Sequence, residues 1–220
     1  VVEQRQAAAE RLGAFLHRHA AGRQEPEVRP PDVNLSEADF GVVYLEGEPR
    51  DAVHGHVRFG LKAIKGGGEA AIGAIIAERT KGGRFKDIFD FCERVDLRAV
   101  NRATIEALVK GGAFDSLHGV EARAALVATI DDAVKSGHSR NEDRRVGQMT
   151  FFGDFESVAP KPPPGAAAGA PAHALRRTDA WPRLQALAYE KEALGFHVSG
   201  HPLDQFRGEL ATFCTGDSAA

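Results

Sequence analysis

Three successive glycines, Gly66-Gly67-Gly68, separate the short apolar segment Leu61-Lys62-Ala63-Ile64 from a stretch of helical period, and few arrangements accept that order. Such a turn reaches φ > 0 without steric conflict and has no side chain to hold an anion away. It delivers the chain into a helix whose first N–H groups lack intrahelical partners, so a phosphate oxygen can be held there. Ile72, Ile75 and Ile76 form the apolar stripe of a helix expected over 69–79. After the Gly82-Gly83 break, Ile88, Phe91, Cys92 and Val95 form the stripe of another over 86–95. The pattern then returns in weaker form from Leu97 to Ile105, with Ala99 and Asn101 in the places of glycines. Asn101 is expected in the left-handed region, which Asn tolerates better than most residues. Ile105, Leu108 and Val109 stripe the closing helix, and Gly111-Gly112 ends it. Two such units bury a shared core and present two turns on one surface.

The candidate phosphate contacts are the backbone at Gly66, Gly67 and Gly68 with Lys62 and Lys65, and Arg98, Asn101 and Arg102 at the second turn. Between His56 and Gly112 there are eleven Lys and Arg against seven Asp and Glu, whereas the whole chain is −3. A locally basic module in an acidic chain agrees in sign with phosphate contact, but only modestly. The 43% hydrophobic content supports a core over one or two domains. No apolar run is long enough to span a bilayer and no signal-peptide pattern opens the chain, so no membrane partner is expected. Cys92 and Cys214 lie far apart without metal-ligand spacing, and a reducing cytoplasm is the simplest compartment.

In order, the chain opens with an amphipathic helix marked by Val2, Ala9, Leu12, Phe15 and Leu16, closed by Gly22 and by Pro26, Pro30 and Pro31. A turn-rich connector over 31–36 precedes two β-prone runs, 40–45 and 54–59, which read as a small hairpin. His54 and His56 alternate on it, but without a third ligand at matching spacing no metal site is expected. Leu126, Ile130, Ala133 and Val134 mark a helix over 121–136, after which 137–146 is charged and aperiodic, so the helix either frays there or continues with a solvated end. Gln148-Met149-Thr150-Phe151-Phe152 then sets large apolar side chains in polar surroundings. A Pro- and Ala-rich linker expected to be mobile, 154–178, follows. Trp181-Pro182 opens a last amphipathic helix, with turns at Gly195, Gly200 and Pro202 leading to a short helix near 206–210. His197 and His201 are treated as structural.

The segment 61–72 resembles a helix-hairpin-helix motif, a DNA-backbone binder indifferent to sequence, with Gly67 where such motifs carry an aliphatic residue. The longer series is more specific. Val57-Arg-Phe-Gly-Leu-Lys-Ala-Ile-Lys-Gly66, Phe89-Asp-Phe-Cys-Glu-Arg-Val-Asp-Leu97, Val109-Lys-Gly-Gly-Ala-Phe-Asp115 and Glu190-Lys-Glu-Ala-Leu-Gly-Phe-His-Val-Ser-Gly-His-Pro-Leu203 together resemble the bacterial DNA polymerase III alpha subunits.

The resemblance implies a mainly α fold: a tandem helix-hairpin-helix domain with a small β-hairpin and a flexible linker. Its expected parts are the end of a fingers region (1–59), the tandem hairpin domain (60–136), a clamp-binding motif with linker (137–180), and a helix leading into an oligonucleotide-binding fold (181–220). It places the catalytic palm carboxylates of the parent polymerase, a Mg2+-dependent nucleotidyltransferase, upstream. No catalytic, metal or cofactor residue is therefore expected here, and the chain should not polymerise alone. The implied partners are duplex DNA, the beta sliding clamp and other replicase subunits.

Gln148, Met149, Thr150, Phe151 and Phe152 resemble a clamp-binding peptide, a Gln followed after two residues by paired large hydrophobes, with Phe151 where Leu or Met is common. Packing of Phe151 and Phe152 back on the preceding helix is the competing expectation. Two functional readings also stay open beside the replicative one: an error-prone paralogue, and a helical interaction scaffold whose glycine hairpins are merely tight turns. Duplex binding that weakens with salt separates the scaffold from the other two.

Overall fold

A computed structural model describes residues 28–44, 47–50, 55–152 and 173–206, the side chains of 141–152 excepted. The opening helix, His54 and Cys214 lie outside the described residues.

Strands β1 (Val28–Arg29), β2 (Gly41–Val43) and β3 (His56–Arg58) form a sheet in the order β1-β3-β2. The expected hairpin is the antiparallel pair β2–β3, with Val42 opposite Val57. β1 adds a parallel strand on the other side of β3, with Val28 opposite Val57, and is too short to leave a period in the sequence. The sheet sets Val57 and Phe59 against the helical body, and the rings of Phe40 and Phe59 meet edge to face at 4.6 Å.

The connector at 31–36 is tied to residues remote in sequence. The Asn34 side-chain amide pairs both ways with the Phe85 backbone, at 2.9 and 2.8 Å. Arg79 donates to the carbonyls of Val33 and Ser36, and the Val33 amide donates to Ala113 at 2.9 Å.

A 3-10 turn (Leu61–Ala63) and the glycine turn lead into α1 (Glu69–Gly82), followed by α2 (Ile88–Arg94), α3 (Arg102–Lys110), α4 (Asp115–His118), α5 (Arg123–Phe152) and α6 (Arg183–Leu194). The chain is mainly α, as its periodicity indicates. α2 starts at Asp87, whose carboxylate accepts the Asp90 amide, while Asp90 accepts the Lys86 amide in return. α3 starts at Asn101, whose side chain accepts the Thr104 amide at 2.9 Å. Asn101 has φ −79° and ψ 170°, so the left-handed expectation is corrected: it is an extended helix cap, the conformation a capping Asn prefers.

The three isoleucine and phenylalanine stripes meet in one core. Leu61, Ile64, Ile72, Ile75, Ile88, Phe91, Cys92, Ile105, Leu108, Phe114, Leu126 and Ile130 are buried together. Burial, helped by the charges of Glu93 and Asp87, pushes the Cys92 thiol up to about 12, so it stays protonated as a small hydrophobe.

The second half departs from the expectations at several points. Of the two outcomes open after 136, α5 takes continuation, and it runs through Phe152, so Gln148–Phe152 has a helical backbone where the sequence suggests an open tail. The linker expectation covers 154–178; residues 153–172 lie outside the described residues, but 173–178 form a strap pinned to α5 and α2. There His173 stacks on Phe89 at 4.4 Å, the Arg176 amide donates to Thr129 Oγ1, and the Arg176 guanidinium grips Asp132 at 2.6 and 2.9 Å. Finally, α6 does not begin a separate body among the described residues: Ala193 and Leu194 belong to the same core. A 3-10 turn occupies Pro202–Phe206, and 207–220, which holds nearly all of the short helix expected near 206–210, lies outside the described residues.

A buried ion triad holds α6 in place. Arg123, 1% exposed, donates to both Asp115 oxygens at 2.9 and 2.5 Å and to Glu190 Oε2 at 3.3 Å. Glu190, equally buried, also accepts the Val198 amide, the Ser199 amide at 2.7 Å and the Ser199 hydroxyl at 2.5 Å.

His118 accepts the Ile88 amide through Nε2 at 3.2 Å, which requires a neutral ring. Burial lowers its pKa below 6.5, against a smaller opposing pull from Asp87. A depressed histidine pKa gives stability that is present above the unfolded value and lost as pH falls through the folded one. The melting temperature is therefore expected to fall as pH drops below 6.5, and to fall less in His118→Gln, which keeps an acceptor but cannot titrate. Parallel losses in the two proteins would assign the acid sensitivity elsewhere.

Candidate nucleic-acid interface

The two glycine-type turns form one patch. Thr104, in the first turn of α3, shares its hydroxyl proton between the Gly66 carbonyl at 3.1 Å and Asn101 Oδ1 at 3.3 Å. Asn101, Thr104 and Gly66 thus make a continuous link between the turns. Motif and period pass over Thr104, although its place three residues after a capping Asn is a signal for it.

At the first turn Gly66 has φ +88°, the one position there that demands glycine by conformation. Gly67 demands it by space, since a Cβ would sit 3.2 Å from the carbonyls of Leu61 and Ile64 and from Ile72 Cδ1. That crowding leaves little room for the aliphatic residue usual in such motifs. The Gly67 and Gly68 amides are already used, donating to Ile64 and Gly66 at 3.1 Å, and the Lys65 amide donates to Ala193 at 2.8 Å. What the turn leaves open is the start of α1. Gly68 offers no side-chain cap, so the first N–H groups of α1 have no capping side chain and carry the positive end of the helix dipole.

The second turn is closed. The Arg98 amide donates to the Asp96 carboxylate at 3.0 Å, and the Ala99 and Val100 amides donate to the Asp96 carbonyl at 3.0 and 2.9 Å. The Arg98 amide is the chief reason that the Asp96 carboxyl is held below its ordinary pKa. A carboxylate already sits where that turn would take an anion.

The side chains divide the same way. Lys62 pairs with Glu69 at 3.3 Å, and Arg98, 92% exposed, with Asp96 at 3.3 Å. Arg102 spans Asp131 at 2.8 Å and Glu106 at 2.7 Å, and those two partners, Asp131 foremost, hold its guanidinium proton more tightly than usual. It thereby joins α3 to α5, and both of its carboxylate partners compete with a phosphate for it. Lys65 is exposed and has no carboxylate within 4.0 Å among the described residues.

Gln148, Met149, Thr150, Phe151 and Phe152 end α5, well away in sequence from both turns, and their side chains lie outside the described residues. His56 is beside Glu48 at 2.9 Å, and among the described residues no group of three or more His, Cys, Asp or Glu is placed to hold a metal ion. No described helix is long and apolar enough to cross a membrane.

Comparison with known proteins bears on this patch directly. A family model described as a helix-hairpin-helix motif matches residues 25–126, which include both turns. The chain is 37% identical over 199 residues to the DNA polymerase III subunit alpha of Vibrio cholerae, covering 88% of this chain and 15% of that one. It is 40% identical over 183 residues to the Caulobacter vibrioides subunit and 34% identical over 190 to that of Escherichia coli K12. The chain belongs to the DNA polymerase III alpha subunit family. It spans only 15%, 14% and 15% of the length of these three relatives. In family terms, the patch is the helix-hairpin-helix region of a DNA polymerase III alpha chain. The Gly66 turn supplies its open helix terminus, and Thr104 joins that turn to the second hairpin.

Proposed function

We propose that this chain serves a replicative DNA polymerase by gripping the backbone of duplex DNA and, through a separate segment, the sliding clamp. The observation that carries the DNA reading is the uncapped start of α1 behind the Gly66–Gly68 turn, with Lys65 unpaired beside it. Backbone amides and a lysine position a phosphate without reading bases, so binding should be indifferent to sequence. The second turn contributes through Arg98, whose partner is well solvated, more than through Arg102 or Asn101.

Lys65→Ala should weaken binding equally on unrelated duplexes and flatten the salt slope by about one unit. Arg102→Ala should change it less, because that guanidinium is already engaged by Asp131 and Glu106 and has little left to offer a phosphate. Equal affinity of wild type and Lys65→Ala at low salt sinks the assignment.

The clamp reading rests on the Gln148, Phe151 and Phe152 pattern at the end of a DNA-contacting module. Burial of each Phe contributes roughly 1.5–3 kcal/mol, and ordering the segment costs about 2–5 kcal/mol, so the contact alone should be weak. A micromolar constant, about −8 kcal/mol, suits a machine in which DNA and clamp contacts reinforce each other through effective concentration. A peptide spanning 146–155 should bind purified clamp, and one with Gln148, Phe151 and Phe152 changed to Ala should not. Equal binding by both peptides would make the segment a packing element.

A further inference from the structure

We infer that the last turn of α1 and the loop joining it to α2, through Lys81, Arg84 and Lys86, form a second phosphate-binding surface that meets the same nucleic-acid backbone as the first turn. This rests on the proposed DNA reading and extends it to residues outside both hairpin turns. Within 60–112, Lys62, Arg79, Arg94, Arg98, Arg102 and Lys110 each have a carboxylate partner. Lys65, Lys81, Arg84 and Lys86 are exposed and have none among the described residues. Three of those four unpaired cations therefore fall within six residues of one another.

The loop that carries them is held rigidly from beneath. Arg94 donates to the carbonyls of Glu78, Gly83 and Arg84 at 3.2, 2.8 and 3.2 Å and stacks over the Phe85 ring at 4.6 Å. Asn34 pairs with the Phe85 backbone from the opposite side, and Asp90 takes the Lys86 amide. The nearby acids are all engaged: Glu78 and Asp90 by Arg94, and Asp87 as the cap of α2. Compensation of the α1 dipole does not account for the three cations. Arg94 already meets the carbonyls at that helix end, and Arg84 and Lys86 lie beyond its glycine cap.

The spacing favours nucleic acid over an acidic protein segment. α1 has 14 residues, so its two ends are about 21 Å apart, the axial rise of about six base pairs. Of the exposed residues between those ends, Ala70, Gly73, Ala77 and Thr80 carry neither charge nor bulk, and the acid among them at the start of α1, Glu69, is paired with Lys62 at 3.3 Å. A regularly charged backbone laid along α1 would meet Lys65 at one end and the loop at the other, passing a single exposed carboxylate, Glu69, whose charge Lys62 offsets.

The test uses the full chain, two duplexes of unrelated sequence and a salt series. Lys81→Gln, Arg84→Gln and Lys86→Gln together should weaken both duplexes equally and reduce the salt slope by about 2–3 units, near 0.9 for each lost contact. The melting temperature should not move, since these side chains make no described contact. A triple variant that binds like wild type while Lys65→Ala is weakened overturns the loop and spares the first turn. If neither is weakened, both readings fall. Loss on one duplex only points to base contact and also overturns the inference, as does a triple variant that loses affinity for polyglutamate but not for duplex.

Discussion

Replacing Arg123 by alanine is expected to lower the stability of this chain by about 3–5 kcal/mol, because it leaves two buried carboxylates without their cation. Asp115 and Glu190 face Arg123 from α4 and α6, and Glu190 is as buried as the arginine itself. Burial alone would lower the pKa of Arg123, but the hydrogen bonds and charge of Asp115, with those of Glu190, raise it instead, so the partners outweigh desolvation. Without Arg123 both acids keep their desolvation and lose its compensation. A domain stable by about 5–15 kcal/mol would then stand near its unfolding threshold. The urea midpoint measures this, with Arg176→Ala as the control. Arg176 and Asp132 are closer together than Arg123 and Glu190, yet well solvated, so breaking that pair should hardly move the midpoint. A loss below about 1 kcal/mol for Arg123→Ala, the ordinary value of a solvated pair, would show the triad to be no more than that.

Gly137→Ala should destabilise although helix propensity argues the reverse. In a helix interior, alanine is favoured over glycine by about 0.8–1 kcal/mol. At Gly137 an added Cβ would lie 2.3 Å from the Cys92 carbonyl oxygen and 2.9 Å from Leu97 Cδ1, where α5 crosses the end of α2. A backbone carbonyl cannot swing aside as a side chain can, so the helices must separate, and overpacking of this kind costs about 1–3 kcal/mol. Separation would also loosen the Glu93 contacts with Ser136 and Arg140, both at 2.8 Å. Gly137→Val should be worse, and Gly73→Ala on α1, which has nothing within 4 Å of the added atom, should stabilise by the propensity gain. If Gly73→Ala and Gly137→Ala shift the melting temperature in the same direction, the close crossing does not control stability.

Interactions among near neighbours in the chain are legible in the residue order alone. The isoleucine stripe of α1, the Phe91 and Cys92 face of α2 and the glycine turn before Glu69 follow from residue spacing and backbone chemistry. Family membership is equally visible in short ordered motifs. Asn101 shows the limit of such reasoning: a residue suited to both a left-handed turn and a helix cap does not announce which it will be. The tertiary structure chose the cap, because Thr104 lies where one side chain can close α3 and reach the Gly66 carbonyl.

The site divides in the same manner. Residue types mark Lys62, Lys65, Arg98 and Arg102 alike as cations beside turns, but only packing places Asp131 of α5 against Arg102 and leaves Lys65 alone. Nor does local pattern carry a partnership such as Arg123 with Glu190, 67 residues apart, or a strap at 173–178 lying on Phe89 and Thr129. Hydrophobic period reports which face of an element is buried, whereas the mate of a buried charge is set by how the elements are brought together in space.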